Sequence, residues 1–308
     1  MQELMTFAGH LDCYCRGEEI LEKYTSVKVS PSQIYRVTGH VSESLKGEDQ
    51  KNERTLKPLS NENYLYVEID GSMICTRDED HTWKEVKLGR LFRESDCLNP
   101  NSDASYLQAS QYVGHLGASN DFCKKLGAVL DSYGDLKERL VFINDGATWI
   151  REWIADNYPL ATSVLDFYHA MEYLYEFADK AFSDICEKKN WCDVQKGLLL
   201  TSDMETVLAN ILSIPAKEEA KKKITGYYQN NKERMKYKHY RNIGCGIIGS
   251  GAIESAHRTV IQKRMKLSGQ RWSRQGAVNM LRLRVISMNN QWGKVIDFLK
   301  APPLTKCA

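Results

Sequence analysis

Three acidic residues, Asp70, Asp145 and Glu254, stand where a folded chain could bring carboxylates together. Asp70 and Asp145 each close an apolar, strand-like stretch, and each is followed by a glycine. An acid at the end of a buried strand is costly to bury unless it meets a cation, so two such strand ends favour a shared divalent metal. Glu254 opens a later helix and can supply a third oxygen ligand from a separate element.

Such carboxylates can hold two Mg²⁺ (or Mn²⁺) ions for in-line phosphoryl displacement, in which one ion activates the attacking oxygen and the other stabilises the leaving oxygen. Each acid taken alone has an equally good structural interpretation; for Asp70 and Asp145 it is an ordinary turn residue before glycine. The three acids together, at the ends of suitable elements, favour the metal-dependent chemistry.

The elements that would position these acids form an α/β pattern. Apolar alternation or continuous apolar runs predict five strands, at Tyr64–Asp70, Trp83–Arg93, about Tyr106–Gly114, Leu140–Asp145 and about Ser163–Phe167. A helix is predicted at Ser119–Tyr133 and another around Trp149 and Trp153. The order β-β-β-α-β-α-β predicts a mixed sheet with helices on both sides.

Helical spacing predicts the remaining elements and divides the chain into segments. Residues 1–45 are predicted to form short helices, with a possible helix-turn-helix that presents Gln33, Arg36 and His40 as a partial DNA-binding region. A polar stretch at 46–63 predicts a linker. The other predicted segments are the first part of the catalytic core at 64–168, an all-helical insertion at 169–243, and the second part of the core, with Glu254 in a helix from Ala252 to about Leu267 and further basic helices, at 244–308.

The net charge of +2 conceals an uneven distribution of charge. Residues 255–296 contain no Asp or Glu but nine lysines and arginines, and tyrosines alternate with basic residues just upstream. This asymmetry favours a polyanionic partner over a merely solvated helix face. Within the acid-free tract we expect DNA contacts from Arg258, Lys263, Arg264, Lys266, Arg271 and Trp272. For Trp272, stacking on a base and a place in the core are equally good interpretations.

Composition disfavours several other classes of protein. No run approaches the ~20 apolar residues of a membrane span, and the N-terminus lacks the pattern of a signal peptide. The expected location is therefore the cytoplasm, associated with the nucleoid through DNA. The nine cysteines are scattered without a Cys-x-x-Cys pair, which favours reduced thiols over a structural zinc site. A glycoside hydrolase with paired carboxylates is disfavoured because a basic, acid-free tract does not suit a neutral sugar.

Two blocks of sequence resemble the Mutator-like transposases of bacterial insertion sequences, most closely their Kra-type branch. The first block comprises Asn144–Ile150, Tyr158–Ala161 and Val164–His169. The second block comprises Gly249–Ser255, Gln262–Lys266, Ser268–Ser273 and Leu281–Arg284. Tyr64–Gly71 fits the block of the first acid, although its pattern is less distinctive. The resemblance covers about residues 64–292.

This resemblance implies an RNase-H-like fold that carries Asp70, Asp145 and Glu254 as a DDE catalytic triad, with an all-helical insertion before the glutamate. It also implies metal-dependent strand cleavage and strand transfer at insertion-sequence ends. Two Mg²⁺ or Mn²⁺ ions, transposon-end and target DNA, and a homo-oligomer in the DNA complex belong to that expectation.

Two further expectations follow from the resemblance. Asp166 and His169 match the (C/D)-x-x-H pair of the Mutator-like enzymes, whereas an Asp N-cap followed by a packed histidine is an equal alternative. Similar transposases usually carry a longer N-terminal DNA-binding region than these first 63 residues. A truncated or domesticated copy that binds DNA without transposing is therefore the second hypothesis.

Overall fold

A computed structural model describes residues 1–47, 63–77, 82–98 and 106–301. Most of the predicted linker, 46–63, lies outside these residues. Three helices come first: α1 (Gln2–Leu11), α2 (Tyr14–Thr25) and α3 (Pro31–Ser44). The start of α3 agrees with its sequence signals, because the Ser30 hydroxyl accepts a hydrogen bond from the Gln33 amide and Pro31 occupies the first helical position.

A mixed five-stranded sheet lies at the centre of the molecule. The strands of the chain are β1 (Leu65–Cys75), β2 (Trp83–Arg93), β3 (Cys97–Leu98), β4 (Tyr106–Leu107), β5 (Gln111–Leu116), β6 (Leu140–Asn144) and β7 (Thr162–Leu165). The order in the main sheet is β5-β2-β1-β6-β7, and β3 pairs with β4 apart from it. The β1–β2 and β2–β5 pairs are antiparallel, whereas β1, β6 and β7 run parallel. The predicted mixed α/β sheet is thereby confirmed.

Two predicted strand boundaries are wrong. Asp70 does not end its strand, because β1 continues to Cys75 in pairing with β2 after its shorter parallel pairing with β6 has stopped at Glu68. The single strand predicted at 106–114 is divided between β4 and β5. The strand is interrupted there because the amide of Gln108 donates to the carbonyl of Asp96 and closes the small β3–β4 pair.

Helices cover both faces of the sheet, as predicted. On one face, Leu65, Val67 and Ile69 pack against α4 (Ser119–Asp131) and α5 (Thr148–Asn157). Because side chains alternate along a strand, Tyr66, Glu68 and Asp70 point to the opposite face. That face is covered by helices from the C-terminal part of the chain, which meet β1 and β2 through Ile74, Leu88 and their neighbours.

Only helices occur between Phe167 and Tyr240, which agrees with the helical spacing of the sequence. They are α6 (Phe167–Ala181), α7 (Ile185–Leu200), α8 (Met204–Ser213), α9 (Glu218–Asn231) and α10 (Tyr237–Tyr240), with one 3₁₀ turn at Lys232–Arg234. Their shared core includes Leu174, Val207 and Tyr228, and it continues into the sheet through Tyr66 and Val164.

The helix predicted from Ala252 to Leu267 is not a regular α-helix. It begins as α11 (Gly251–Ala256), widens into a π-helical stretch at His257–Gln262, and ends as α12 (Lys263–Met265). Two helices follow, α13 (Arg274–Met288) and α14 (Gly293–Lys300). A π-helical insertion shifts the facing of the side chains within a helix and is common at functional sites.

The N-terminal helices pack against this C-terminal part of the core. Val41 and Leu45 of α3 contact Leu283, Ile286 and Val295 in a buried cluster. Polar bonds join the same surfaces, since the Ser42 hydroxyl donates to the carbonyl of Asn279 over 2.8 Å. The outer face of α3 leaves Gln33, Arg36 and His40 exposed. Among the described helices, none has both the length and the apolar composition needed to cross a bilayer.

Candidate active site

The structure brings Asp70, Asp145 and Glu254 to the same edge of the sheet. Asp145 directly follows β6, and Asp70 lies on the adjacent β1 just beyond the last residue paired with β6. Glu254 lies in the first turn of α11, which packs against β1. The pKa of Asp70 is raised to about 6, first by burial and then by the negative charges of Asp145 and Glu254. Three acids from separate elements therefore share one electrostatic environment.

These three carboxylates suit a hard divalent cation, because their repulsion is what such a cation offsets. Within the described ranges, no three histidine, cysteine or acidic side chains are grouped as closely as the ligands of one ion. Mg²⁺ usually keeps several waters and needs only one or two protein carboxylates. Asp145 and Glu254 are both exposed and hence open to such an ion.

His257 is a neighbour of Asp70 that the sequence analysis did not single out. Its Nε2 lies 3.2 Å from a carboxylate oxygen of Asp70, although the two groups are not aligned for a hydrogen bond. Burial lowers the pKa of His257 to about 4, so the ring is neutral. The signal available in the sequence was its helical i,i+3 spacing from Glu254, which places both residues near one side of the helix.

Glu68 and Arg90 fix the start of the helix that carries Glu254. Glu68 is fully buried, and its Oε2 accepts a hydrogen bond of 2.6 Å from the amide of Ile253. Arg90 stands opposite Glu68 in the β1–β2 register and donates to the carbonyl of Ala252 over 2.5 Å. Burial raises the pKa of Glu68 to about 8, against the hydrogen bond from Ile253. The first turn of α11 is thus tied directly to the strand that bears Asp70.

Asp166 ties α6 to α11. Its Oδ1 accepts from the amides of Tyr168 and Ser250 at 3.0 and 3.2 Å, and the Ser250 hydroxyl donates to its Oδ2 over 2.5 Å. Asp166 is therefore the N-cap of α6 and also holds the residue that precedes α11. His169 is partly exposed, with its Nδ1 3.0 Å from a carboxylate oxygen of Glu172.

The helical insertion reaches Asp145 through Tyr227 and Arg234. The Tyr227 hydroxyl donates to the main-chain carbonyl of Asp145 over 3.0 Å, and its ring stacks on Tyr173 at a centroid distance of 3.8 Å. Arg234 is buried and donates to the side chains of Asn144 and Ser163. The only sequence signal for these contacts is the run of alternating basic and tyrosine residues in which both residues lie.

The residues expected to contact DNA divide into an exposed and a buried group. Arg258, Lys263, Lys266 and Arg271 are exposed, so the structure leaves them available to a partner. Arg264 and Trp272 are buried, and the expectation that they contact DNA is corrected.

Arg264 and Trp272 instead form part of the core. The guanidinium of Arg264 lies between the rings of Tyr14 and Trp272, at 4.9 and 5.0 Å from their centres. Its Nε donates to the carbonyl of Gly9, while the indole of Trp272 donates to the carbonyl of Met265. The stacking of Arg264 on Trp272 and on Tyr14, a residue far away in the sequence, therefore accounts for their burial.

Two further arginines of the acid-free tract are structural. Arg282 donates to the carbonyl of Ser42 over 2.8 Å, and Arg284 donates to the carbonyls of Val260 and His10. The hydrogen bonds described for these two arginines go to main-chain carbonyls and, for Arg282, also to the side chains of Ser42 and Asn279. Only part of the positive charge of this tract is therefore available at the surface.

Comparison with known proteins identifies relatives over nearly the whole chain. A family model described as an uncharacterised protein family (UPF0236) matches residues 7–298. The chain is 26% identical over 284 residues to the "UPF0236 protein in vanSb 3′ region" of Streptococcus gallolyticus, which covers 87% of this chain and 59% of that protein. It is 27% identical over 293 residues to a UPF0236 protein of Caldanaerobacter subterraneus subsp. tengcongensis whose name joins eleven locus labels, covering 90% of this chain and 58% of that protein. The chain thus spans less than two thirds of the length of these relatives.

Proposed function

The chain belongs to the family UPF0236. From its three neighbouring acids and the resemblance of two sequence blocks to Mutator-like transposases, we propose that it is a DNA transposase with a DDE triad. The observation that carries the proposal is the position of Asp70, Asp145 and Glu254 at the same edge of the sheet, where the charges of the two other acids help to raise the pKa of Asp70. Two of these acids come from adjacent parallel strands, and the third comes from a helix more than a hundred positions further along the chain.

The sheet supports the RNase-H-like core that this function implies. Three antiparallel strands, β5, β2 and β1, are followed by the parallel strands β6 and β7, and the first acid lies on the central strand. The resemblance of the two sequence blocks to Mutator-like transposases, closest to the Kra-type branch, supports the same interpretation. A helical insertion separates the second acid from the third, as in those enzymes.

The name of one relative offers separate support. It joins eleven locus labels from a single strain. A protein repeated at many loci of one genome is expected of a mobile element, because each successful transposition leaves another copy of the gene. For this chain we accordingly propose transposon ends and target DNA as partners, in a complex that holds more than one copy.

In the proposed mechanism, Asp70, Asp145 and Glu254 would hold the divalent ions, and two of the three acids are supported by contacts from other parts of the fold. Glu68 and Arg90 fix the helix start that carries Glu254, while Arg234 supports the turn that carries Asp145. When bound, two Mg²⁺ or Mn²⁺ ions would supply activation of the attacking oxygen and stabilisation of the leaving oxygen.

The surface beside these acids supplies the contacts that would orient DNA. The exposed residues Arg258, Lys263 and Lys266 follow Glu254 along the same helical stretch. Cations in this position can hold backbone phosphates without reading sequence. Their placement would direct a phosphate of the strand toward the three acids.

The exchange Glu254→Gln tests the proposal. Glutamine keeps the shape of the side chain but removes a charge that holds a hard cation, so Mg²⁺-dependent cleavage should fall by at least about a hundredfold. The substrate is the DNA that flanks the gene, because insertion-sequence ends would lie there. Glu205→Gln is the matched control, since Glu205 is also an exposed acid in the first turn of a helix.

Binding and stability measurements complete this test. DNA affinity and melting temperature should change little, because a first-turn acid contributes only about 0.3–1 kcal/mol through the helix dipole. Cleavage by Glu254→Gln near the unmodified rate would remove Glu254 from the triad. DNA binding by the unmodified protein without any Mg²⁺-dependent cleavage would instead support the alternative of a truncated or domesticated DNA-binding copy.

A further inference from the structure

A cleft of about 570 Å³ opens beside the helix start that carries Glu254. One side is formed by Gly251, Ala252 and Ser255 together with the glycine-rich approach at 246–249. Glu68 and Arg90 of the sheet line the cleft, and so do two tyrosines, Tyr106 and Tyr168. The cleft therefore adjoins the acids but contains a different set of groups.

Tyr168 forms a fixed aromatic surface in this cleft. A Cβ atom at Gly249 would lie 2.5 Å from two carbons of the Tyr168 ring, so the ring rests directly on glycine backbone. The amide of Tyr168 is bonded to Asp166, which fixes the position of the residue in the first turn of α6. The side chain is nevertheless 60% exposed. One face of the ring is therefore supported while much of its surface remains open.

Glu68 provides an unsatisfied polar atom in the same cleft. Its Oε2 is bonded to Ile253, whereas its Oε1 is buried and has no hydrogen-bond partner among the described residues. A buried polar oxygen without a hydrogen-bond partner is costly, because it has lost its bonds to water. A ligand that supplies a hydrogen-bond partner at this point would remove that cost.

We propose that this cleft binds an unstacked nucleobase of the DNA strand beside the three acids, an inference that rests on the proposed function. A base has a flat face that can stack on Tyr168 and a polar edge that can meet Oε1 of Glu68. The exposed ring of Tyr106 gives the cleft a second aromatic side chain.

Binding to DNA with and without an unpaired end tests this inference. The probes are a fluorescein-labelled blunt duplex and the same duplex with a three-nucleotide 3′ overhang, measured by fluorescence anisotropy. The unmodified protein should bind the overhang about tenfold more tightly, since stacking of one base on an aromatic side chain has an effect of that order. Tyr168→Ala should abolish this preference and leave affinity for the blunt duplex unchanged.

Two control variants separate stacking from a general effect on the helix. Tyr168→Phe keeps the aromatic face and should keep the preference for the overhang. Tyr175→Ala removes an exposed tyrosine from the same helix at a position outside the cleft, and it should also keep the preference. When the overhang contains 2-aminopurine, the unmodified protein and Tyr168→Phe should quench its fluorescence. Tyr168→Ala should not quench it.

Equal affinity of the unmodified protein for the two duplexes would overturn the nucleobase site while leaving the transposase proposal intact. A preference that survives in Tyr168→Ala would overturn it as well. Failure to bind either duplex would overturn the proposed function and this inference together. The measurement on unmodified protein decides the matter even if Tyr168→Ala does not fold.

Discussion

The guanidinium of Arg234 donates a hydrogen bond of 2.6 Å to the side-chain oxygen of Asn144, the residue immediately before Asp145. The same oxygen accepts from the amide of Gly146 over 3.1 Å, so Asn144 connects the guanidinium with both sides of Asp145. Gly146 has a φ of 89° and thus a backbone conformation that favours glycine. A residue of the helical insertion therefore stabilises the turn that carries Asp145.

Arg234→Met should reduce Mg²⁺-dependent cleavage much more than DNA binding. The exchange keeps bulk but removes the donor to the Asn231 oxygen and one of the two donors to the Asn144 oxygen, so the free energy of unfolding should also fall by about 2 kcal/mol. Urea unfolding and single-turnover cleavage at matched protein occupancy measure the two effects. Lys232→Met, an exposed cation in the same 3₁₀ turn, is the control and should change neither. Full cleavage by folded Arg234→Met would show that this support is dispensable.

Lys263→Gln combined with Lys266→Gln should weaken binding to every DNA sequence. Both side chains are exposed close to Glu254, and each phosphate contact that is lost should lower the slope of log affinity against log salt by roughly 0.9. The measurement is anisotropy of several unrelated duplexes at a series of salt concentrations. The matched control is the double exchange Lys189→Gln and Lys196→Gln on α7, which removes the same charge from another surface. An equal effect of the two double variants would mean that only net charge matters.

The free energy of unfolding should fall as the pH is lowered from about 6.5 toward 4, because of the titration of His10. Burial lowers the pKa of His10 to about 4, and the charges of Arg284 and Arg264 act in the same direction. The neutral ring is satisfied on both sides, by the carbonyl of Phe7 at 2.6 Å and the hydroxyl of Ser287 at 3.0 Å. The unfolded chain takes up a proton near the ordinary pKa of 6.5, whereas the folded chain does so only near 4.

This difference should remove roughly 2 kcal/mol from the free energy of unfolding between pH 7.5 and pH 5. Urea unfolding at both pH values measures it, and His10→Gln separates it from the contribution of the acids. Glutamine does not titrate, so that variant should lose less stability over the same interval than the unmodified protein does. Parallel pH profiles for the two proteins would show that another group is responsible.

Local sequence patterns predicted the parts of the site that depend on local structure. The apolar run Leu140–Asn144 identified a buried strand, and Asp145-Gly146 identified the turn after it. The acid at Glu254 was found because it follows a glycine-rich approach and opens a helix. In each case the information lies within a few residues of the acid.

Other features depended on partners that are distant in sequence. Gly71 suggested that β1 ends at Asp70, but cross-strand bonds to β2 carry the strand onward. The sequence predicts that Arg264 is a surface cation, but in the structure it lies between the rings of Tyr14 and Trp272. Alternation along β1 places Glu68 on the same strand face as Asp70, but alternation alone does not show that a helix start covers it. Charge and periodicity identify a candidate residue, whereas burial is decided by packing.

The late position of α11 to α13 in the chain has a consequence for synthesis on the ribosome. All five strands of the main sheet have been made by Leu165, but the face that includes Ile74, Val86 and Leu88 is covered mainly by residues after Gly251. Until those residues emerge, a nascent chain exposes apolar sheet surface and lacks the third acid. Exposed apolar surface of this kind promotes chaperone binding or aggregation. The chain therefore gains the third acid of the proposed triad and covers this apolar surface in the same late step of its synthesis.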